Sequence, residues 1–401
     1  MAPVFRTGTD AQGSFLSIAG NGNPEAVGYI SKKVSVGRSG TYSFSVLFSF
    51  SEDVNPQRNL LFQCIGATHD GIFDFYRLPD GMVEGRAKIV IPEGTTEAKL
   101  RIFYRFNGGG EARIRSLSLV PTDPVEPRWV KFACISGRPD FGKAAEIIDK
   151  CAAEGVDLLL LPEHCCQEGG NAAFADSIFS LYSSRAARHG MYISGAVTHI
   201  EPDGRKFNKG VLFDRSGNLT GVYDKIHPYS PEVNDDGVTP GRRTDIFHTD
   251  FGKVGIIICY DSWFTDVTEL LARKGAEVIL LPNAGYYKSL LHARAADNGV
   301  RFVVSSLYDP AAIFDTAGRD IEDPLRDPTV RSLDGTFRDI QVFECDGIRL
   351  LISSLDLNRS PSPHYNGGTM VEAPGGKRNR ADQLIYLDDM IKREKERWWV
   401  E

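Results

Sequence analysis

Three strand-like runs of this sequence each end in a side chain able to take part in covalent chemistry. Four leucines at 158–161 are followed by Pro162 and Glu163. Residues 221–224 lead into Lys225, and residues 253–258, with three consecutive isoleucines, lead into Cys259, Tyr260 and Asp261. A carboxylate, an amine and a thiol are together the components of nucleophilic acyl transfer: a base, an electrostatic anchor and a nucleophile. Each alone is weak. A lone glutamate after a strand is usually a helix cap or a surface charge, a lone lysine is almost always solvated, and a lone cysteine is most often a packed small hydrophobe.

The elements around Cys259 strengthen its case. Three isoleucines in a row suit a strand covered on both faces, as in a parallel sheet. A helical pattern follows at 267–274 and closes at Gly275. A cysteine at the carboxyl end of a buried strand, just before a helix, stands where α/β folds place ligand-facing groups. Nearby backbone N–H groups and the helix dipole favour a thiolate there.

The region from 129 to 360 alternates strands and helices. Strands are predicted at 130–135, 156–161, 192–197, 211–213, 253–259, 278–281, 301–307, 311–314 and 349–355. Helices are predicted at 143–154, 174–188, 267–274 and 288–298. That alternation means an α/β fold.

Residues 1–122 have a different texture. In 42–50, Tyr42, Phe44, Val46, Phe48 and Phe50 alternate mostly with serine. Leu100, Ile102, Tyr104 and Phe106 alternate with Lys99, Arg101 and Arg105. Period 2 marks half-buried strands, and shorter runs at 15–18, 60–64, 87–91 and 112–120 fit the same reading, separated by turn signals, with no convincing helix. An all-β, jelly-roll-like sandwich is expected, structural or oligomeric in role before carbohydrate-binding. A proline-rich linker follows at 123–128. Residues 361–401 form a C-terminal extension, read as ending in a charged helix with Trp398 and Trp399.

Composition narrows the function. The chain has 401 residues, 42% hydrophobic and 25% charged, with a formal net charge of −7. That is a soluble composition whose acidic balance argues against nucleic acid or an anionic membrane as partner. The first residues do not read as a signal peptide, and no apolar stretch is long enough to span a bilayer. Seven cysteines, odd in number and without a C-x-x-C, argue against a disulfide framework or a zinc site. They suit a reducing, cytoplasmic compartment, and the Asn218-Leu219-Thr220 sequon is read as chance.

Taken together and in order, Leu161-Pro162-Glu163, Asp224-Lys225-Ile226-His227 and Ile258-Cys259-Tyr260-Asp261 resemble the nitrilase superfamily of carbon–nitrogen hydrolases. Glu232, seven residues past the lysine, Leu281-Pro282-Asn283, residues 294–298 and residues 313–318 also fit. The resemblance covers roughly 128–358. It implies an α-β-β-α sandwich, a Cys–Glu–Lys site, a homo-oligomer and no metal or organic cofactor. Cys259 is then the nucleophile, Glu163 the proton carrier and Lys225 the oxyanion anchor, helped by the Tyr260 backbone N–H. Glu232 is expected to orient substrate or lysine, His227 to be structural, and Cys165 and Cys166 to pack near the pocket. Asn283, Tyr286, Tyr287 and Trp263 are candidates for lining it. Tyr260-Asp261 after the nucleophile departs from the Trp-Glu of true nitrilases, so the resemblance is to the amidase branches. The expected substrate is a small-molecule amide or N-carbamoyl compound. The runner-up is nitrile hydrolysis, and the different-class alternative is an inactive homologue or a carbohydrate-binding protein.

Overall fold

The structure is a computed structural model and describes residues 2–67, 74–124, 126–167, 171–316, 318–322 and 337–358. These fall into two compact units, one running to Glu126 and one starting at Pro127.

The described strands of the first unit are β1 (Val4–Asp10), β2 (Gly13–Ala19), β3 (Val27–Ser35), β4 (Gly40–Phe50), β5 (Leu60–Ile65), β6 (Asp74–Arg77), β7 (Val83–Ile91), β8 (Glu97–Arg105) and β9 (Glu111–Pro121). They form two antiparallel sheets, β1-β2-β9-β4-β7-β6 and β3-β8-β5, whose inward side chains share one hydrophobic cluster. Tyr42, Phe44, Val46 and Phe48 of β4 are buried while the serines between them are not, as period 2 requires. Tyr104 is fully buried and donates its hydroxyl to the Gly110 carbonyl at 2.6 Å, so its polar end is satisfied. Two expectations fail here. Phe106, expected inward, lies beyond β8 at φ 53 and is exposed. A single helical turn, α1 (Pro56–Asn59), also occurs where no helix was expected.

The second unit runs β10 (Trp129–Ser136), α2 (Phe141–Ala153), β11 (Leu158–Glu163), α3 (Ala175–His189), β12 (Tyr192–Ile200), β13 (Lys206–Phe213), β14 (Leu219–Asp224), α4 (Ser230–Asn234), β15 (Phe247–Thr249), β16 (Gly252–Ile256), α5 (Asp266–Arg273), β17 (Val278–Asn283), α6 (Lys288–Asn298), β18 (Arg301–Ser306), β19 (Ala312–Phe314), β20 (Phe337–Cys345) and β21 (Ile348–Asp356). One sheet follows the order β14-β13-β12-β11-β10-β21-β20 and the other β15-β16-β17-β18-β19. They touch in a single pairing, Ser136 with Ser306. Face to face, β11 packs on β17 and β18.

The leucine run of β11 shows why this stacks in four layers. Leu158 and Leu160 point into the cluster between the sheets, whereas Leu159 and Leu161 join the cluster with α2 and α3. Helices α5 and α6 cover the other sheet through Val267, Leu271, Leu291 and Ala295. A strand covered on both faces needs no polar alternation. Ser305 ties the layers, accepting from the Ile135 N–H at 2.9 Å and donating to the Leu160 carbonyl at 2.6 Å. The sheets approach closely at Gly210 of β13, where a Cβ would stand 2.5 Å from Ile256 of β16.

Three further expectations are corrected. The run 221–224 is not a strand buried on both faces, because it lies in the edge strand β14, where Leu219 and Val222 are exposed. The late region holds the extra strand β20, largely solvated and therefore without a clear pattern. The isoleucine strand stops at Ile256, three residues before Cys259. Residues 361–401, with the expected terminal helix, lie outside the described residues. Among the described residues, no helix is long and apolar enough to cross a membrane.

Candidate active site

The end of β16 is set by one carboxylate. Ile257 still donates to the Leu280 carbonyl of β17 at 3.1 Å, but the Ile258 N–H turns to Asp261 Oδ2 at 2.9 Å. The backbone then folds into a 3₁₀ turn, Cys259–Trp263, with Cys259 at φ 44. A non-glycine residue in the left-handed region is held there by its surroundings. Asp261 supplies the hold. It is fully buried and also accepts from the Tyr223 hydroxyl at 2.8 Å and the His227 N–H at 2.8 Å. One carboxylate therefore fixes both the turn carrying Cys259 and the loop after Lys225.

Glu163 ends β11 and Lys225 follows β14 directly; both are buried. Lys225 Nζ donates to Glu163 Oε1 at 2.8 Å and to Glu232 Oε2 at 2.6 Å. Asn208 of β13 donates through Nδ2 to the same two carboxylates, 2.7 Å to each. Glu232 lies in the first turn of α4 and also accepts the Tyr229 N–H at 2.7 Å. Cys259 is only part-exposed, and the Glu163 carboxylate and the Ala284 N–H of the loop after β17 lie near enough to act on its thiol.

Charge follows from this packing. Burial alone would raise the Glu163 pKa, but the charges of Lys225 and His164 and the hydrogen bonds from Lys225 and Cys259 outweigh it and hold the carboxyl at about 2. Burial would lower the Lys225 pKa, yet Glu163, Cys259 and Glu232 push it above the ordinary lysine range. Burial, and then the Glu163 charge, push the Cys259 thiol up to about 12. At neutral pH the arrangement is an ionised carboxylate, an ammonium and an un-ionised thiol. A thiol in that state needs a base within reach, and Glu163 is the carboxylate that acts on it.

The model of the family described as carbon–nitrogen hydrolase matches residues 136–306, which contain all of these groups. Over this segment the chain is similar to that family. Similar curated proteins include the omega-amidase NIT2 of Danio rerio, 27% identical over 188 residues, covering 42% of this chain and 68% of that protein. The hydrolase C26A3.11 of Schizosaccharomyces pombe is 29% identical over 172 residues, 37% of this chain and 53% of that protein. Among solved structures, Saccharomyces cerevisiae Nit3, of the nitrilase superfamily, aligns with a TM-score of 0.47 at 20% identity, covering 57% of this chain and 90% of that one.

The remaining sequence candidates separate into two groups. Asn283 ends β17 next to Ala284; its amide is fully buried, and neither its oxygen nor its nitrogen finds a protein partner. A buried amide left open beside Ala284, near the Cys259 thiol, is suited to a ligand or water. The Tyr260 ring lies in an aromatic group with Tyr229, Trp263 and Phe264. Tyr286 instead braces the loop, donating its hydroxyl to the Pro310 carbonyl at 2.6 Å and its N–H to Asp309 at 2.7 Å. His227 stacks on Phe264 and its pKa is raised, first by its hydrogen bond to Asp261. Cys165 and Cys166 lie with sulfurs 3.5 Å apart, and Cys165 is buried.

Glu163, His164 and Glu232 could converge on a cation. The Lys225 ammonium already binds both carboxylates, so positive charge is supplied there without a metal. A cleft of about 400 Å³ opens on this side, lined by His164, Thr198, Lys206, Glu232 and Val238 among others.

Sequence reasoning missed Asn208 and Asp261. Asp261 sat inside the quoted motif, and its signal was an acid directly after a buried strand. Asn208 had only one, a polar residue in an otherwise buried strand.

Replacing Asp261 with asparagine puts an amide donor against groups that all donate. We expect a stability loss of about 2–4 kcal/mol, read as a lower thermal midpoint, and a fall in kcat measured well below that midpoint. A variant with unchanged kcat and a normal melt would mean that Asp261 does not set the Cys259 turn.

Proposed function

We propose that the chain is a thiol-dependent amidase acting on small-molecule amides or N-carbamoyl compounds. The observation that carries this is the convergence of Glu163, Lys225 and Cys259, with an ionised carboxylate acting on a thiol that does not ionise by itself. The similarity to proteins named as omega-amidases supports the amide reading.

In this mechanism Glu163 takes the Cys259 proton as sulfur attacks the amide carbon. Lys225 and the Tyr260 N–H hold the oxyanion. Collapse breaks the C–N bond, Glu163 gives its proton to the leaving nitrogen, and ammonia or an amine departs, leaving a thioester. Glu163 then deprotonates water, which releases the acid and restores the thiol. Glu232 and Asn208 keep Lys225 and Glu163 in register. Asn283 offers its open amide to the substrate amide or to the attacking water. The chemistry calls for side chains alone. We read the first unit as a jelly-roll-like domain with a structural role, joined through a linker at 123–128, and the whole as a homo-oligomer working in the cytoplasm.

The test is ammonia release from a panel of amides, N-carbamoyl compounds and nitriles, before and after iodoacetamide treatment, with the alkylated residue located by mass spectrometry. We expect release from an amide or carbamoyl member, lost in step with modification of Cys259. Release that survives full alkylation of Cys259, or release from nitriles alone, would overturn the reading.

A further inference from the structure

Four large aromatic side chains stand exposed on the side of the domain where the nucleophile turn ends. Trp263, Phe264 and Tyr287 are 42%, 38% and 60% exposed, and Tyr229 is 53% exposed. They are joined to the reacting centre at two points. The Tyr260 ring, one residue past Cys259, touches Tyr229 at 5.4 Å, Trp263 at 5.6 Å and Phe264 at 5.3 Å between centroids. The Tyr229 backbone N–H binds Glu232, which binds Lys225. Trp263 carries the surface on to Tyr287 at 4.9 Å. Contiguous exposed apolar surface of this kind marks a place where something binds, and here it begins at the nucleophile's neighbour.

The charges around it are directed elsewhere. Arg294, buried beneath, donates to the Trp263 and Phe264 carbonyls at 3.1 and 3.3 Å, so it fixes the rings from behind. His227 is stacked under Phe264 and faces Asp261 and Asp266. Glu232 faces Lys225 and Asn208. Lys288, next to Tyr287, pairs with Asp320, so among the described residues of this group each charge named already faces a partner.

We propose, on the hydrolase reading above, that the acyl group of the substrate is uncharged and aromatic or flat and apolar, and that it lies on Tyr229, Tyr260, Trp263 and Tyr287. Ring on ring contacts of this kind discriminate by shape and apolar area, and Trp263, at the centre, is the specificity-determining residue.

The experiment separates binding from turnover. In Cys259→Ala protein, calorimetric titration should give phenylacetamide a Kd about 10- to 100-fold below that of acetamide. Adding Trp263→Ala should erase the difference, and Trp263→Phe should keep most of it. In otherwise native protein, Trp263→Ala should lower kcat/KM for phenylacetamide by a similar factor, through KM, and by clearly more than it lowers kcat/KM for acetamide. A binding preference without hydrolysis of either amide sinks the hydrolase reading and spares this one. Equal affinity for the two amides, tighter binding of succinamic acid or glycinamide, or equal loss on both amides in Trp263→Ala overturns it. So does a Trp263→Ala protein that halves its mass in light scattering while keeping its selectivity, since the rings would then be a contact between copies of this chain.

Discussion

Cys259→Ala protein will release no measurable ammonia from any amide the native chain hydrolyses, with kcat reduced by about 10⁴-fold or more. The reason lies in the charge state of the site. Cys259 is held as a thiol with a pKa raised to about 12, so on the proposed mechanism it contributes through attack assisted by Glu163 and not as a standing thiolate. Alanine removes the attacking atom and leaves Glu163 and Lys225 bonded to each other, which provides charge but no covalent route. The fold should be unaffected, because the backbone at φ 44 is imposed by the hydrogen bonds of Asp261 and not by the thiol. Ammonia release and a thermal melt on the same preparation check this. A hundredth of native activity with an unchanged melt would require another nucleophile.

Lys225→Met should be the most destabilising change in the site. The ammonium is the shared partner of two carboxylates, and Glu163 is as deeply buried as the lysine itself. Removing one member of a buried pair costs about 3–5 kcal/mol, because the partner charge is left without compensation. The pH dependence gives this a sign. In the native protein Glu163 is depressed from 4.5 to about 2, so its contribution is complete above pH 4.5 and is lost as pH falls through 2. Between pH 7 and 5 it changes nothing. In the variant burial acts on Glu163 without the lysine charge, so its pKa rises above the ordinary value. The folded state then binds a proton more readily than the unfolded chain, and stability increases on going from pH 7 to 5. Melts of both proteins at the two pH values should therefore converge at the lower one. Parallel shifts would show that Glu163 is not held ionised by Lys225.

The comparison of sequence with structure separates two kinds of signal. Burial with a regular period was legible: β4, β11 and α6 appear where their patterns place them. Solvated strands were not. β3 and β20 expose most of their residues and carry no alternation to read. The end of β16 was misplaced because apolar character persists through Ile258, while the strand ends where Asp261 captures an N–H, an event invisible to hydrophobic pattern. In the site, Glu163 and Lys225 could be picked out because each closes a short local run, whereas Glu232 was legible only through the family resemblance. Asn208 is brought to Glu163 and Glu232 only by the pairing of β13 with β12 and β14, and no local spacing announces that.

On the proposed mechanism the base Glu163 and the oxyanion anchor Lys225 hang from one sheet, on β11 and after β14, and the nucleophile Cys259 hangs from the other, after β16. Among the described residues no hydrogen-bonded ladder links β16 to β11 or β14; the sheets meet through packed side chains, the Ser136–Ser306 pairing, the two Ser305 hydrogen bonds and the Tyr223–Asp261 bond. Chemical competence is therefore a gauge of the gap between two layers that can slide or part without either unravelling. Heat, pressure or denaturant should silence such a catalyst while its secondary structure is still intact, and turnover should be the earliest casualty of a loosened interior.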